Sequence, residues 1–334
     1  MKKRNLVLLL VAFLVLLTPV LFAAGEKDAK AGSVSAADAA KYPYPGAVGK
    51  NATMILKDLT NPIWVACVGY ARDAAKDFGM NIETVAPVVS QSNEQQIQLV
   101  QQVIAQRKDV CILVPCDSTG IIPAVLELNR ANIPVINLNT WINDPTGRAK
   151  YETFVVADNI RCATLVATYG AKLADHKGEI LILQGVPGAQ VNIDIIKGAV
   201  AVFDKHPEMK IVQYGNANSD RQQGYTVTQN MLQTFPNLRY CFSTGDEMAL
   251  GAMHAIEEAG RQDRIILTGC DGNQDALRAV RDGRMNATVN KNFQGQVYAA
   301  VKAAAMVLDG KKLDPLVPVD MILVTKENAS QFIQ

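Results

Sequence analysis

An excess of charge of either sign is the first thing this sequence lacks. Its 33 Lys and Arg meet 32 Asp and Glu, for a formal net charge of +1. A nucleic-acid surface needs a basic stripe with interleaved aromatics, and the sequence has none, so no nucleic acid is expected as a partner. Histidine is scarce: only His176, His206 and His254 occur, and none stands near a pair of cysteines. Zinc-type spacing is therefore missing, and neither a metal nor a cofactor is expected. The six cysteines show no disulfide framework. Cys67, Cys111, Cys162 and Cys241 fall inside apolar strand or helix patterns, where a small buried thiol is the simple reading, and Cys111 with Cys116 is the pair to inspect. Catalytic signatures are missing too. There is no Gly-x-Ser-x-Gly, no P-loop and no Gly-x-Gly-x-x-Gly after the first strand, so no enzyme is expected.

What is there begins with a leader. Lys2, Lys3 and Arg4 precede an apolar run from Leu6 to Phe22 that ends in Ala23 and Ala24. This predicts a secretory signal peptide over residues 1–24 and hence a periplasmic protein. The alternative is an uncleaved membrane anchor, for which the run is at the short end. Residues 25–50, rich in Ala, Gly, Ser and Lys, are expected to form a flexible tether.

Beyond residue 50, short apolar runs alternate with amphipathic stretches. "ATMILKD", "MNIETVAPV", "DVCILVPC" and "IPVINLN" read as strands, with helical patterns between them. The same order returns in "EILILQG", "MKIVQYG", "LRYCFSTG" and "RIILTGCD". Such alternation predicts βαβ units and parallel sheets, here in two similar α/β lobes. A strand, loop and helix from Met285 to Leu313 and one further strand, "VPVDMILVT", are left over and must return to the lobes.

Ligands of open α/β sheets bind beyond the carboxyl ends of the strands. Two facing lobes would pool those ends. Lys57, Asp58, Asn61 and Trp64 follow the first strand. Asn139 follows "IPVINL", with Trp141 close by. The loop Gly185 to Asn192 follows "EILILQ", Asp271 follows "RIILTGC", and Asn290, Lys291 and Asn292 follow "MNATV". Asn139 and Asp271 occupy equivalent strand ends of the two halves. Amides donate and accept, a carboxylate accepts two hydroxyl protons, and an aromatic face packs on the C–H side of a sugar ring. That set suits a neutral polyhydroxy ligand, and the two lysines keep a sugar acid in the class. Each residue also has a purely structural alternative: Trp64 as core, Asp271 as a turn or cap before Gly272, Asn139 as a cap of the turn before Asp144–Pro145, Lys57 and Lys291 as solvated charges.

The stretches "LTNPIWV", "LVPCDSTGIIPAVLELNRANIPVINLN", "GDEMALGAMHAIEEAG" and "GCDGNQDALRAVRDGRMNATVNKN" resemble the ribose/galactose-type sugar-binding periplasmic proteins of ABC transporters, over about residues 51–326. The resemblance implies the type I periplasmic binding protein fold: α/β, two similar doubly wound parallel-sheet lobes joined by a three-crossover hinge near Asp158, Asn290 and Asp320. The N-terminal lobe would be 51–157 plus 291–319, and the C-terminal lobe 158–290 plus 320–334. The family's ligand positions fall on Asn61, Ile63, Trp64, Asn139, Asp271 and Lys291. Two pocket arginines of a ribose binder fall on Thr140 and Ile195, an aromatic wall position on Ser219 and an Asn position on Gly245. Asn192 or Gln190 would compensate, and the ligand implied is another sugar or a polyol. The resemblance further implies delivery to a membrane permease by a monomeric shuttle. An alternative is a ligand-sensing receptor protein for chemotaxis or signalling. A transcriptional regulator of the same two-lobe form would need an N-terminal helix-turn-helix, where this chain has a leader and tether.

Overall fold

Strands that are apolar on both faces must be covered on both faces, and the chain meets this demand twice. In the computed structural model, which describes residues 35–333, a short helix α1 (Ala36–Ala39) leads into β1 (Asn51–Ile55), α2 (Pro62–Asp77), β2 (Asn81–Val85), α3 (Asn93–Ala105), β3 (Val110–Leu113), α4 (Ile122–Arg130), β4 (Val135–Leu138) and β5 (Thr153–Val156). Then come α5 (Asn159–Leu173), β6 (Gly178–Gln184), α6 (Gln190–Phe203), β7 (Met209–Asn216), α7 (Arg221–Thr234), β8 (Leu238–Ser243), α8 (Asp246–Glu258), β9 (Ile266–Thr268), α9 (Gln274–Arg281) and β10 (Ala287–Asn290). The chain ends with α10 (Phe293–Leu308), β11 (Leu316–Pro318) and β12 (Ile322–Thr325).

Two six-stranded sheets result, ordered β11-β5-β4-β3-β1-β2 and β12-β10-β9-β8-β6-β7. The first is parallel throughout, and the second is parallel except for β12, which runs antiparallel to β10. The fold is thus α/β with two parallel-sheet lobes. The chain passes between the sheets three times: between β5 and α5, whose Cys162, Ala163 and Val166 enter the second core; between β10 and α10, whose Val297, Ala300 and Val301 enter the first; and between β11 and β12.

Three readings change. "VPVDMILVT" is not one strand. Val319 N still bonds Val156 O of the first sheet at 2.9 Å, whereas Ile322 already pairs with Asn290 of the second. Apolar periodicity does not register that a chain has changed sheets. The four-residue β5 and the helix α5 behind it were not among the expected elements. The start of α5 is marked by Asp158, whose Oδ1 accepts Arg161 N at 2.9 Å as a helix cap. Finally, the expected tether is packed from Tyr44 onward. Tyr44 meets Phe78 at 5.8 Å between ring centroids, Ala47 is buried, and Gly46 N donates to Asp309 Oδ1 at 2.8 Å. The expected signal peptide lies outside the described residues. All six cysteines are buried and unpaired, Cys111 and Cys116 included.

Candidate functional site

The carboxyl ends of the two sheets face one cavity of about 640 Å³, part of it open to solvent. Lys57, Asn61, Ile63, Trp64, Asn139, Asn192, Asp271 and Lys291 all line it. The first five come from the lobe of β1–β5, Asn192 and Asp271 from the other, and Lys291 from the segment that crosses back.

The loop after β1 is held by Asp58, whose Oδ1 accepts from Thr60 N, Thr60 Oγ1 and Asn61 N. This carboxylate serves the loop and is not part of the cavity wall. Asn61 caps α2 by accepting Ile63 N at 3.0 Å, with Pro62 preset for the first helical turn. The cap fixes Trp64 in that turn. Trp64 is both core and wall: it is 7% exposed, meets Phe293 edge-on at 5.4 Å, and borders the cavity. Lys57 Nζ lies 5.8 Å from the Trp64 ring centroid, within cation–π range. Burial pulls the Lys57 ammonium down to about 8, and the Lys291 charge adds to the fall. The reading of Lys57 and Lys291 as solvated charges is excluded, since they are 5% and 2% exposed.

Asn139 sits at the end of β4 in the left-handed region, φ 64°, which asparagine tolerates. Its Nδ2 donates to Gln296 Oε1 at 3.5 Å and its Oδ1 accepts Thr140 Oγ1 at 3.3 Å. Asn192, in the first turn of α6, accepts from Gly185 N at 2.9 Å and Thr244 Oγ1 at 3.0 Å. Its side-chain amide N–H groups have no acceptor among the described residues.

Asp271 and Lys291 are neighbours because the ends of β9 and β10 run side by side, bridged at Asp271 and Asn290. Lys291 Nζ stands 3.1 Å from Asp271 Oδ1, while Asp271 Oδ2 accepts Asp246 N at 3.2 Å. Asp271 thus caps the start of α8, and Asn273 instead caps α9, taking Ala276 N at 2.8 Å. Burial is the largest single influence on the Lys291 ammonium and lowers its pKa, but the Asp271 carboxylate, together with Cys162 and Cys270, raises it on balance. Behind them Asp246 is fully buried, with its oxygens on Thr288 Oγ1, Gly272 N and Asn273 N. Burial and the nearby Asp271 charge push it up to about 7.

Some expected neighbours lie elsewhere. Trp141 is exposed and donates to Tyr151 Oη at 2.9 Å. Asn292 caps α10 by accepting Gly295 N, and Asn290 accepts Asn292 N; neither lines the cavity. Gln190 turns to Asp194. Ile195, Ser219 and Gly245 do line the cavity, whereas the buried Thr140 does not. The walls that sequence reasoning missed are Gln91, Thr244, Glu247, Met248 and Phe293. Phe293 had a usable signal, an aromatic directly after a capping asparagine. Glu247 had none, for its placement depends on Arg221, which grips it through Nε at 2.8 Å and Nη2 at 3.1 Å.

The lobes also touch at the rim. Ser118 Oγ, after β3, accepts the backbone N of Gln190 at the start of α6, at 3.1 Å. The residue before this helix is Ala189, whose side chain has no oxygen to cap it, so the opposite lobe supplies the cap.

Residues 52–312 match the family model of the periplasmic binding protein domain. The chain is 31% identical over 269 residues to a ribose import binding protein of Bacillus subtilis, an alignment covering 80% of this chain and 85% of that one. Among solved structures it is similar to a periplasmic solute binding protein of an ABC transporter from Actinobacillus succinogenes, solved with bound D-allose, with a TM-score of 0.81, 29% identity, and 84% and 99% of the two chains covered. It is also similar to an ABC transporter solute binding protein of Bacillus halodurans, solved with bound myo-inositol, with a TM-score of 0.78, 26% identity, and 86% and 98% covered. Two parallel-sheet lobes, strand ends pooled in one cavity, and a match over most of the sequence agree: the chain belongs to the periplasmic binding protein family.

Proposed function

We propose that the chain is an extracytoplasmic solute-binding protein that captures a sugar or polyol between its lobes and delivers it to the permease of an ABC transporter. It is a periplasmic monomer without catalytic activity in this reading. The observation that carries the proposal is the composition of the cavity: an aromatic wall at Trp64, and hydroxyl partners at Asn61, Asn139, Asn192 and Asp271 drawn from both lobes. A ligand touching both walls binds the closed arrangement better than the open one, and so shifts the equilibrium towards closure. The N-terminal lobe, 51–157 with 291–319, and the C-terminal lobe, 158–290 with 320–334, turn about the crossovers near Asp158, Asn290 and Asp320. The test is a thermal-shift panel of pentoses, hexoses, polyols, inositols and sugar acids on the chain from about Gly25. At least one ligand is expected to raise the melting temperature. Silence across the whole panel at millimolar concentration would remove the sugar-carrier reading.

The rim contact gives a second expected result. The cap on Gln190 N exists only where the lobes meet, and a cap is worth about 1 kcal/mol. Ser118→Ala is therefore expected to weaken ligand affinity by about fivefold, measured by calorimetry, with little change in the melting temperature of the free protein. Unchanged affinity would mean that the contact does not report closure.

A further inference from the structure

Counting the charges around the cavity leaves one over. Its charged lining residues are Lys57, Lys291, Asp271 and Glu247. Lys291 is paired with Asp271 at 3.1 Å. Glu247 is held by Arg221 and also accepts Asn273 Nδ2 at 2.8 Å. Lys57 has neither an ion pair nor a hydrogen bond to its ammonium among the described residues. Asp58 beside it has one oxygen committed to three donors of its own loop. Asp246 is enclosed behind Asp271, with its oxygens on Thr288, Gly272 and Asn273. The wall therefore presents one buried ammonium, 5% exposed and bordering the cavity, with no carboxylate in ion-pair contact; Asp271 and Asp58 act on it only from beyond that distance.

We propose that the ligand is a sugar acid, a polyhydroxylated molecule bearing one carboxylate, and that the carboxylate sits on the Lys57 ammonium. The inference rests on the sugar-carrier reading above and narrows its ligand class. Its physical basis is desolvation. A buried ammonium without a charged partner is costly, and hydroxyl groups replace its water but not its counter-ion. A carboxylate supplies both, through shorter and stronger charge-assisted bonds. The position of Lys57 also fits. Its Nζ is 5.8 Å from the centroid of the Trp64 ring, so a sugar ring packed on that indole carries an exocyclic carboxylate to the ammonium while its hydroxyls reach Asn139, Asn192 and Asp271. A single unpaired cation matches a single negative charge, which favours a carboxylate over a phosphate ester. The low value of the free ammonium is the same cost expressed as a proton equilibrium.

The test uses matched pairs on the wild-type chain by calorimetry: galacturonate against galactose, glucuronate against glucose, and gluconate against glucitol, with glucose 6-phosphate as the doubly charged probe. At least one acid is expected to bind about 100-fold tighter than its neutral parent and tighter than the phosphate. In Lys57→Met that ratio is expected to collapse towards one, and in Lys57→Arg to persist. Should the methionine variant fail to fold, the wild-type ratios and the arginine variant decide alone. A neutral sugar binding as tightly as its acid, or a sugar phosphate binding tighter, overturns the sugar-acid inference and leaves the carrier reading in place. No binding by acids, neutral sugars or polyols overturns both.

Discussion

Asp271→Ala is expected to lower the melting temperature by roughly 10 °C and to abolish any ligand-induced stabilisation. The first effect follows from what the substitution leaves behind. Lys291 is 2% exposed, and its only carboxylate partner among the described residues is Asp271, at 3.1 Å. Removing one member of a buried pair costs about 3–5 kcal/mol, because the other charge stays buried and uncompensated. In a protein of this size each kcal/mol moves the midpoint by about 2–4 °C. The second effect follows from the place of Asp271 in the cavity wall, where the proposed binding mode has its carboxylate accept ligand hydroxyl protons.

The unpaired-charge account has a signature in pH. With Asp271 in place, the Lys291 pKa is raised, so the pair contributes fully at neutral pH and is lost only as pH climbs through that raised value. Without Asp271, burial is the largest influence left on Lys291, opposed only by Cys162 and Cys270, and the folded-state pKa is expected to fall below the ordinary value of 10.5. The unfolded chain then holds more protons than the folded one between the lowered value and 10.5, and stability rises with pH across that window. Asp271→Ala is therefore expected to gain more stability than the wild type as the buffer is taken from neutral towards pH 10, since in the wild type only the lowered Lys57 contributes such a rise. The double variant Asp271→Ala with Lys291→Met separates the two roles. It should regain most of the lost stability at neutral pH and none of the ligand response. A double variant as unstable as the single one would show that lost packing, rather than an orphaned charge, caused the fall. A single variant that keeps its ligand response would exclude this cavity as the site.

How far the site could be read in advance depended on where each residue stands along its element. Asn139 directly follows β4, Asp271 stands just beyond β9, and Asn61 and Trp64 close the loop and open the helix after β1; strand ends are visible as breaks in apolar runs. The lobes themselves were legible because a doubly covered strand is an unbroken apolar run, and "EILILQ" and "DVCILV" are of that kind. Phe293, Thr244 and Glu247 depend on which element lies across the cavity, and no local pattern carries that. Glu247 opens α8 with two acidic residues, which reads as ordinary helix-start charge. Only the folded chain shows Arg221 of α7 gripping it. The division of "VPVDMILVT" between two sheets was hidden for the same reason: both halves are extended and apolar, and their partners, β5 and β10, are remote in sequence.

Gly251→Ala opposes two quantities of opposite sign, and the structure says which prevails. Helix propensity alone favours alanine over glycine by about 1 kcal/mol in a helix interior. Yet a Cβ at Gly251 would lie 2.0 Å from the carbonyl oxygen of Arg221 and 2.7 Å from Tyr225 N. These are backbone atoms, so no side chain can turn aside. The approach is reciprocal: a Cβ at Gly224 would lie 2.5 Å from Met248 O. Helices α7 and α8 therefore cross backbone to backbone at two glycines, and α7 must retreat if either gains a methyl group. Overpacking of this kind costs about 1–3 kcal/mol and can exceed it where backbone has to move. Gly251→Ala is expected to lower the melting temperature by about 4–8 °C, net of the propensity gain. Gly69, in α2, has nothing within 4 Å of its added Cβ, so Gly69→Ala is expected to raise stability by up to about 1 kcal/mol. The crossing also bears on the cavity. Arg221 begins α7, and Glu247 and Met248 sit in the first turn of α8, where both line the wall. A retreat of α7 pulls the guanidinium off Glu247 and frees a carboxylate beside the ligand. Ligand affinity in Gly251→Ala should therefore fall together with stability, while Gly69→Ala changes stability alone. Stabilisation by both substitutions would mean that α7 yields without cost and that the close crossing does not hold the second-lobe wall in place.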